Sequence, residues 1–391
     1  MKKKWIALIV IMIVVMCVGC GEKKTNSSEE YDINVWEKGV ANICKSENGY
    51  YAVSGEFIYT IENEGIYPLC NKADCDHKNK ECNAYLRKVC EQTIWYDGEH
   101  IYAVASEKSG KFSVYEINAD GSGSSRICDV FQTTGGVAGY SISCAYKDNY
   151  IYYDLELPTA EDARTGQYSG RLYRLRLESG AEPELIYESS DDKKKISTSV
   201  GRLYFYGDDL YTVVLKYENS GDGRWCELYR YSTKEDTFEM VLDRFMSHYF
   251  MKDDILYYTS EDGIHKYAFD GSVDELLVEN PEFCGVAIFD GTYMYVDDEW
   301  YQCQQEKHSD KKNIYVLDLS GNIIKKITTD WEMEVLYGDG ESIVETRKDP
   351  VNTENGSWFV DNFYFYDKAQ IITDQDEWTC IEQKAIEDLQ Q

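Results

Sequence analysis

The segment "DGEHIYAV", residues 97–104, is a tight polar turn followed at once by an alternating apolar and aromatic stretch. Close variants recur along the chain: "SGEFIYTI" from Ser54, "DNYIYYDL" from Asp148, "DDLYTVVL" from Asp208, "DDILYYTS" from Asp253, "DGTYMYV" from Asp290 and "DGESIVE" from Asp339. The spacings from turn to turn are 43, 51, 60, 45, 37 and 49 residues, averaging about 47. That is the length of a four-stranded propeller blade.

A second, independent phrase follows each of the later turns. "FSVYEINADGSGSSRICDV", "GRLYRLRLESGAEPELIYE", "CELYRYSTKEDTFEMVLD", "GIHKYAFDGSVDELLVE" and "NIYVLDLSGNIIKKITTD" each place a Tyr-containing strand before a polar turn and another strand. These are hairpins, read as the outer two strands of a blade. Only five prolines interrupt the chain, no long helical periodicity appears, and most of the 34 tyrosines fall in the strands. The expected fold is all-β, a β-propeller of seven blades, with six or eight left open by an irregular first blade. The 60-residue interval from Asp148 to Asp208 carries an insertion. Ring closure commonly completes one blade with strands from both termini, for which the region around Ile33 to Ile43 and "EWTCIEQ" are the available pieces.

Outward from the repeats, the chain begins with Lys2, Lys3 and Lys4, an apolar run from Trp5 to Met16, and Cys17-Val18-Gly19-Cys20. A basic region, a short apolar core and a small residue before a cysteine describe a signal peptide over 1–19, too short for a comfortable membrane span. Val18-Gly19-Cys20 resembles the bacterial lipobox, which implies that Cys20 is diacylated with palmitate-type chains; Cys17 stands where Leu is usual. Residues 20–40 are read as the lipidated cysteine with a polar tether, and 41–391 as the propeller domain. The chain is strongly acidic, with 71 Asp and Glu against 40 Lys and Arg. Nucleic acid is thereby an unsuitable partner, because it requires a basic surface to displace counterions.

"PLCNKADCDHKNKECNAY", residues 68–85, clusters Cys70, Cys75, His77 and Cys82 within a loop spanning 68–90. Three thiolates and an imidazole satisfy a closed tetrahedral zinc site, structural because protein fills all four positions. A disulfide is the alternative, since an exported protein meets an oxidising compartment, and plain packing of small cysteines is a third reading. The remaining cysteines, Cys44, Cys90, Cys128, Cys144, Cys226, Cys284, Cys303 and Cys380, are scattered singly and read as small buried hydrophobes.

Lipobox, tether, the "PLC-x4-C-x-H-x4-CNAY" segment and the "DG-x-x-IY" strands together resemble the lipoproteins of clostridial bacteria. The propeller of that family is similar to the TolB-like and low-density-lipoprotein-receptor-related group. The resemblance implies a surface or membrane-associated propeller and brings no settled activity to transfer.

No nucleophile elbow, zinc-protease helix or phosphate-cradling loop is present. "SGDGRW" at Ser220 and "SEDGIH" at Ser260 resemble sialidase aspartate boxes without their full spacing, and "NADGSGSSRICD" is a loose calcium loop already explained as a hairpin. His100, His248, His265 and His308 are isolated. The functional expectation is a lipid-anchored binding module on the outer face of the cytoplasmic membrane, recognising a protein, peptide or glycan. The alternative is a glycan-active enzyme with acidic residues in the funnel, for which carboxylates would have to converge in space.

Overall fold

The computed structural model describes residues 43–381, apart from 63–64, 88, 91–92, 108–109, 134–141, 157–168, 193, 221–222, 286, 305–310, 331–333, 339 and 354–355. The expected signal segment, Cys20, the expected tether and His308 therefore lie outside the described residues. Twenty-eight strands form seven four-stranded antiparallel sheets, each built from four strands consecutive in the chain. Blades 1 to 7 span 43–68, 95–132, 144–188, 196–243, 249–279, 287–330 and 334–381.

Seven buried apolar clusters occupy the seven seams between neighbouring blades. Strand alternation produces them, since successive side chains point to opposite faces of a sheet. In the second strand of blade 2, His100–Ser106, Ile101, Ala103 and Ala105 face blade 1 while Tyr102 and Val104 face blade 3. Both faces are covered, so the recurring strand is buried nearly throughout and not half-solvated as an isolated sheet would be.

The recurring turn joins the first and second strands of blades 2 to 7. Asp148 and Asn149 have φ of 50° and 64°, and Asp253 and Asp254 of 52° and 60°. Two successive positive φ values make the hairpin turn that follows strand twist, and Asn and Asp tolerate them better than most residues. In the longer turns the aspartate itself closes the chain: Asp97 Oδ1 accepts from the amides of Glu99 and His100 at 2.8 and 2.7 Å. Asp290 Oδ1 does the same with Thr292 and Tyr293, both at 2.7 Å.

Two expectations need correction. In blade 1, "SGEF" joins the second strand Tyr50–Ser54 to the third, Phe57–Glu62, and the true counterpart of the other turns is Ser46–Gly49. Closure also differs: among the described residues Ile43–Lys45 opens blade 1 and Trp378–Ile381 ends blade 7, and no blade there mixes strands from the two ends. The ring closes by packing, with Ile43, Tyr50, Ala52 and Tyr59 against Val344 and Phe363. The expected insertion falls in blade 3, between Asp154 and Arg171.

Candidate metal centre

The connection from blade 1 to blade 2, residues 69–94, carries the cysteines and histidine. One ligand atom each from Cys70, Cys75, His77 and Cys82 lies within 4.8 Å of all the others. Tetrahedral zinc with bonds of about 2.3 Å would set such atoms about 3.8 Å apart, so the set converges as a metal site requires. His77 Nδ1 lies 3.3 Å from Cys82 Sγ, which makes Nδ1 the nitrogen facing the cluster. His77 holds φ of 54°, a left-handed conformation uncommon for histidine, and the loop imposes it where the ring must turn inward.

The backbone prepares the thiols. Burial pushes Cys70 up, but the amides of Lys72 and Asn83 and the thiols of Cys82 and Cys75 outweigh it, and the net shift is downward. Cys82 moves the other way, through burial and through sharing its proton with Cys75 and Cys70, despite the Ala84 amide. Both Cys70 and Cys82 thus receive the amide two residues on, a geometry that favours thiolate over thiol. All three cysteines are unbonded thiols, and a disulfide between any two would not account for the convergence of the third with His77. Three soft sulfurs with one imidazole suit zinc and exclude a calcium or magnesium preference.

Other predicted residues fall elsewhere. Cys44, Cys90, Cys128 and Cys226 are buried in the seams and Cys284 is buried as well, as expected of small hydrophobes, but Cys144 is only partly buried and Cys303 and Cys380 are exposed, which corrects that expectation for them. The loose calcium loop is a hairpin turn in which Asp120 Oδ1 accepts from the Ser122 amide at 2.8 Å. His265 Nε2 sits 2.7 Å from Asp262 Oδ1, and the ring stacks on Tyr258 at 4.8 Å. "SGDGRW" and "SEDGIH" fall at the links between second and third strands of blades 4 and 5, with Gly221 and Asp222 of the first outside the described residues. Between those blades lies a cavity of about 730 Å³ lined by Tyr217, Glu218, Arg224, Phe245, Ser260 and Glu261.

The first strands of neighbouring blades meet through aromatic and basic residues, and Trp95 and Tyr146 pack against the core between blades 2 and 3. Trp95 stacks on Tyr146 at 5.0 Å and an interplanar angle of 8°. Lys45, Lys147, Arg202 and Lys252 come from four of these strands. Each is engaged: Lys45 with Glu341 at 3.6 Å, Lys147 with Asp208 at 3.3 Å, Lys252 with Asp253 at 3.5 Å, and Arg202 donating to Met246 O at 2.9 Å.

Sequence reasoning missed Asn71, Asn83 and Gly121, which dock the loop. The Asn71 amide and Asn83 Nδ2 both donate to Gly121 O, at 3.0 and 2.9 Å. Gly121 has φ of 73°, and a Cβ there would meet the Cys70 and Asn71 nitrogens at 3.0 Å. An asparagine directly after each of two ligands was the one available signal.

No family model matches the chain, and no curated protein matches it. Among solved structures it is similar to a Mycobacterium tuberculosis puromycin-hydrolysing peptidase, at 11% identity and TM-score 0.45, covering 83% of this chain and 49% of that one. It is also similar to the WD40 domain of SCAP from fission yeast, at 12% and 0.42, covering 90% and 88%. Oligopeptidase B from Leishmania major matches at 10% and 0.47, covering 88% and 49%. The chain spans about half the length of both peptidases. Likenesses at these identities and TM-scores transfer no activity. The class that the fold itself defines is a seven-bladed β-propeller.

Proposed function

We propose that this chain is a lipid-anchored lipoprotein of the clostridial kind, held through Cys20 on the outer face of the cytoplasmic membrane. Its propeller acts there as a binding module for a protein, peptide or glycan, and structural zinc holds the Cys/His loop. The observation that supports the binding reading is the ring of seven four-stranded blades, a fold that presents turns and loops from every blade and commonly serves as an interaction module. Two acyl chains would give durable attachment. The test uses the full chain in its host: Cys20→Ala should shift it from the membrane to the soluble fraction and abolish incorporation of a labelled fatty acid. Retention of label in that variant would overturn the anchor. Arrays of peptides and glycans should show binding without turnover.

The glycan-active alternative is favoured by one observation, the cavity between blades 4 and 5, where Glu218 and Glu261 meet Arg224 and two aromatic rings. Hydrolysis of an arrayed glycan that is lost in Glu218→Gln or Glu261→Gln would establish it in place of the binding reading.

A further inference from the structure

The connection holding the Cys/His cluster differs from every other blade-to-blade link. It takes 26 residues, 69–94, whereas the other five links take 3 to 11. A longer link loses more conformational freedom when ordered, so this one needs a compensating constraint. It is nevertheless built into the ring, because Leu69, Cys82, Ala84, Leu86 and Val89 belong to the buried core between blades 1 and 2.

The hydrogen bonds connect the ligands to both blades. Toward blade 1, the Leu69 amide donates to Ile58 O at 2.9 Å, the Ile58 amide to Ala84 O at 2.9 Å, and the Leu86 amide to Glu56 O at 2.8 Å. Toward blade 2, the end of the loop is held by the Cys90 amide donating to Val104 O at 2.8 Å and by a bridge between Val89 and Ala105, while the ligand-bearing part sends two donors to a single acceptor, Gly121 O, in the turn of the outer hairpin. Those donors come from Asn71 and Asn83, the residues immediately after Cys70 and Cys82. Drawing Cys70 and Cys82 onto one ion therefore also fixes the separation of the two groups that grip the outer hairpin of blade 2.

Resting on the zinc reading above, we propose that the metal is a seam lock. Occupancy of the Cys70, Cys75, His77 and Cys82 site holds the loop in its two-donor grip on Gly121, and so sets whether the seam between blades 1 and 2 is closed. Loss of the ion frees Asn71 from Asn83, undocks the ligand-bearing part of the loop from the outer hairpin of blade 2 and loosens the seam there, while the other six keep their own cores. Zinc availability thereby regulates the part of the recognition surface that these two blades present.

The experiment is hydrogen exchange read by mass spectrometry on the full chain in detergent. Reduced protein loaded with one equivalent of zinc is compared with protein stripped by a chelator. Stripping should speed exchange at least tenfold in peptides covering 56–60, 69–72 and 84–90, with blades 4 to 6 unchanged. Asn83→Ala, which keeps every ligand, should bind zinc with the same stoichiometry and still exchange faster at 69–72 when loaded. Zinc bound one per chain with identical exchange in loaded and stripped forms would overturn the seam lock alone. Loss of protection spread over blades 4 to 6 would overturn its local character. Failure to take up zinc, with all three thiols alkylated, would overturn the zinc reading and the lock with it.

Discussion

Glu345 shows how a single buried carboxyl can set a pH dependence. It is fully buried in the second strand of blade 7; Thr329 Oγ1 donates to its Oε2 at 2.6 Å, while Oε1 is buried without a hydrogen-bond partner. Burial raises its pKa from 4.5 to about 7, opposed by Lys312 and the Thr329 bond and reinforced by Asp297 and Asp330. The folded state therefore holds a proton that the unfolded chain releases, and stability falls as pH rises from about 4.5 through 7 before levelling off. Glu345→Gln should be stabilising by about 3 kcal/mol at pH 8 and nearly neutral at pH 4.5. Urea unfolding at both values checks this, and a gap independent of pH would refute it. Lys368 makes the opposite case. Its Nζ bonds Asp290 with both side chains buried, joining blade 7 to the first turn of blade 6. Lys368→Met should cost about 3 kcal/mol by stranding a buried carboxylate, and adding Asp290→Asn should recover part of that loss. Strictly additive costs in the double variant would show that the pair is not coupled.

At the scale of strands and hairpins, the outer edges repeat a device. Arg174 faces Glu184, Arg230 faces Glu239 and Lys266 faces Glu275, each directly across the third and fourth strands of blades 3, 4 and 5. All three pairs form ion contacts. Charged outer strands discourage edge-to-edge pairing with other chains. Their worth to stability is small, and Lys266→Ala should cost less than about 1 kcal/mol, the difference vanishing in 1 M salt. A larger, salt-independent cost would assign the pair a packing role. The hairpins were legible because turn chemistry is local: an Asp caps two amides in blades 2 and 6, and an Asp-Asn or Asp-Asp pair at positive φ turns blades 3 and 5. Blade 1 was misread for the same reason, since "SGEF" satisfies turn chemistry one strand later than "SENG". The insertion in blade 3 was visible as an interval, but no residue in it reveals which strands it separates.

At the scale of the ring, periodicity reported the blade count because each blade spends its own four strands, and seven phrases became seven sheets. The manner of closure was not legible. It depends on Tyr50 meeting Phe365, with centroids 5.3 Å apart, a contact between residues more than 300 positions apart that no local pattern encodes. The four candidate ligands were legible by residue type and spacing, and the structure brings all four together. Their grip on blade 2 was not, because Gly121 belongs to a hairpin 39 residues beyond Cys82. The clasp is the central claim, and anomalous X-ray diffraction at the zinc edge, from crystals of reduced full-length protein, addresses it most directly. The account predicts one peak per chain, bonded to Cys70, Cys75 and Cys82 sulfurs and to His77 Nδ1. A disulfide between Cys70 and Cys82, with no anomalous peak beside it, would contradict it.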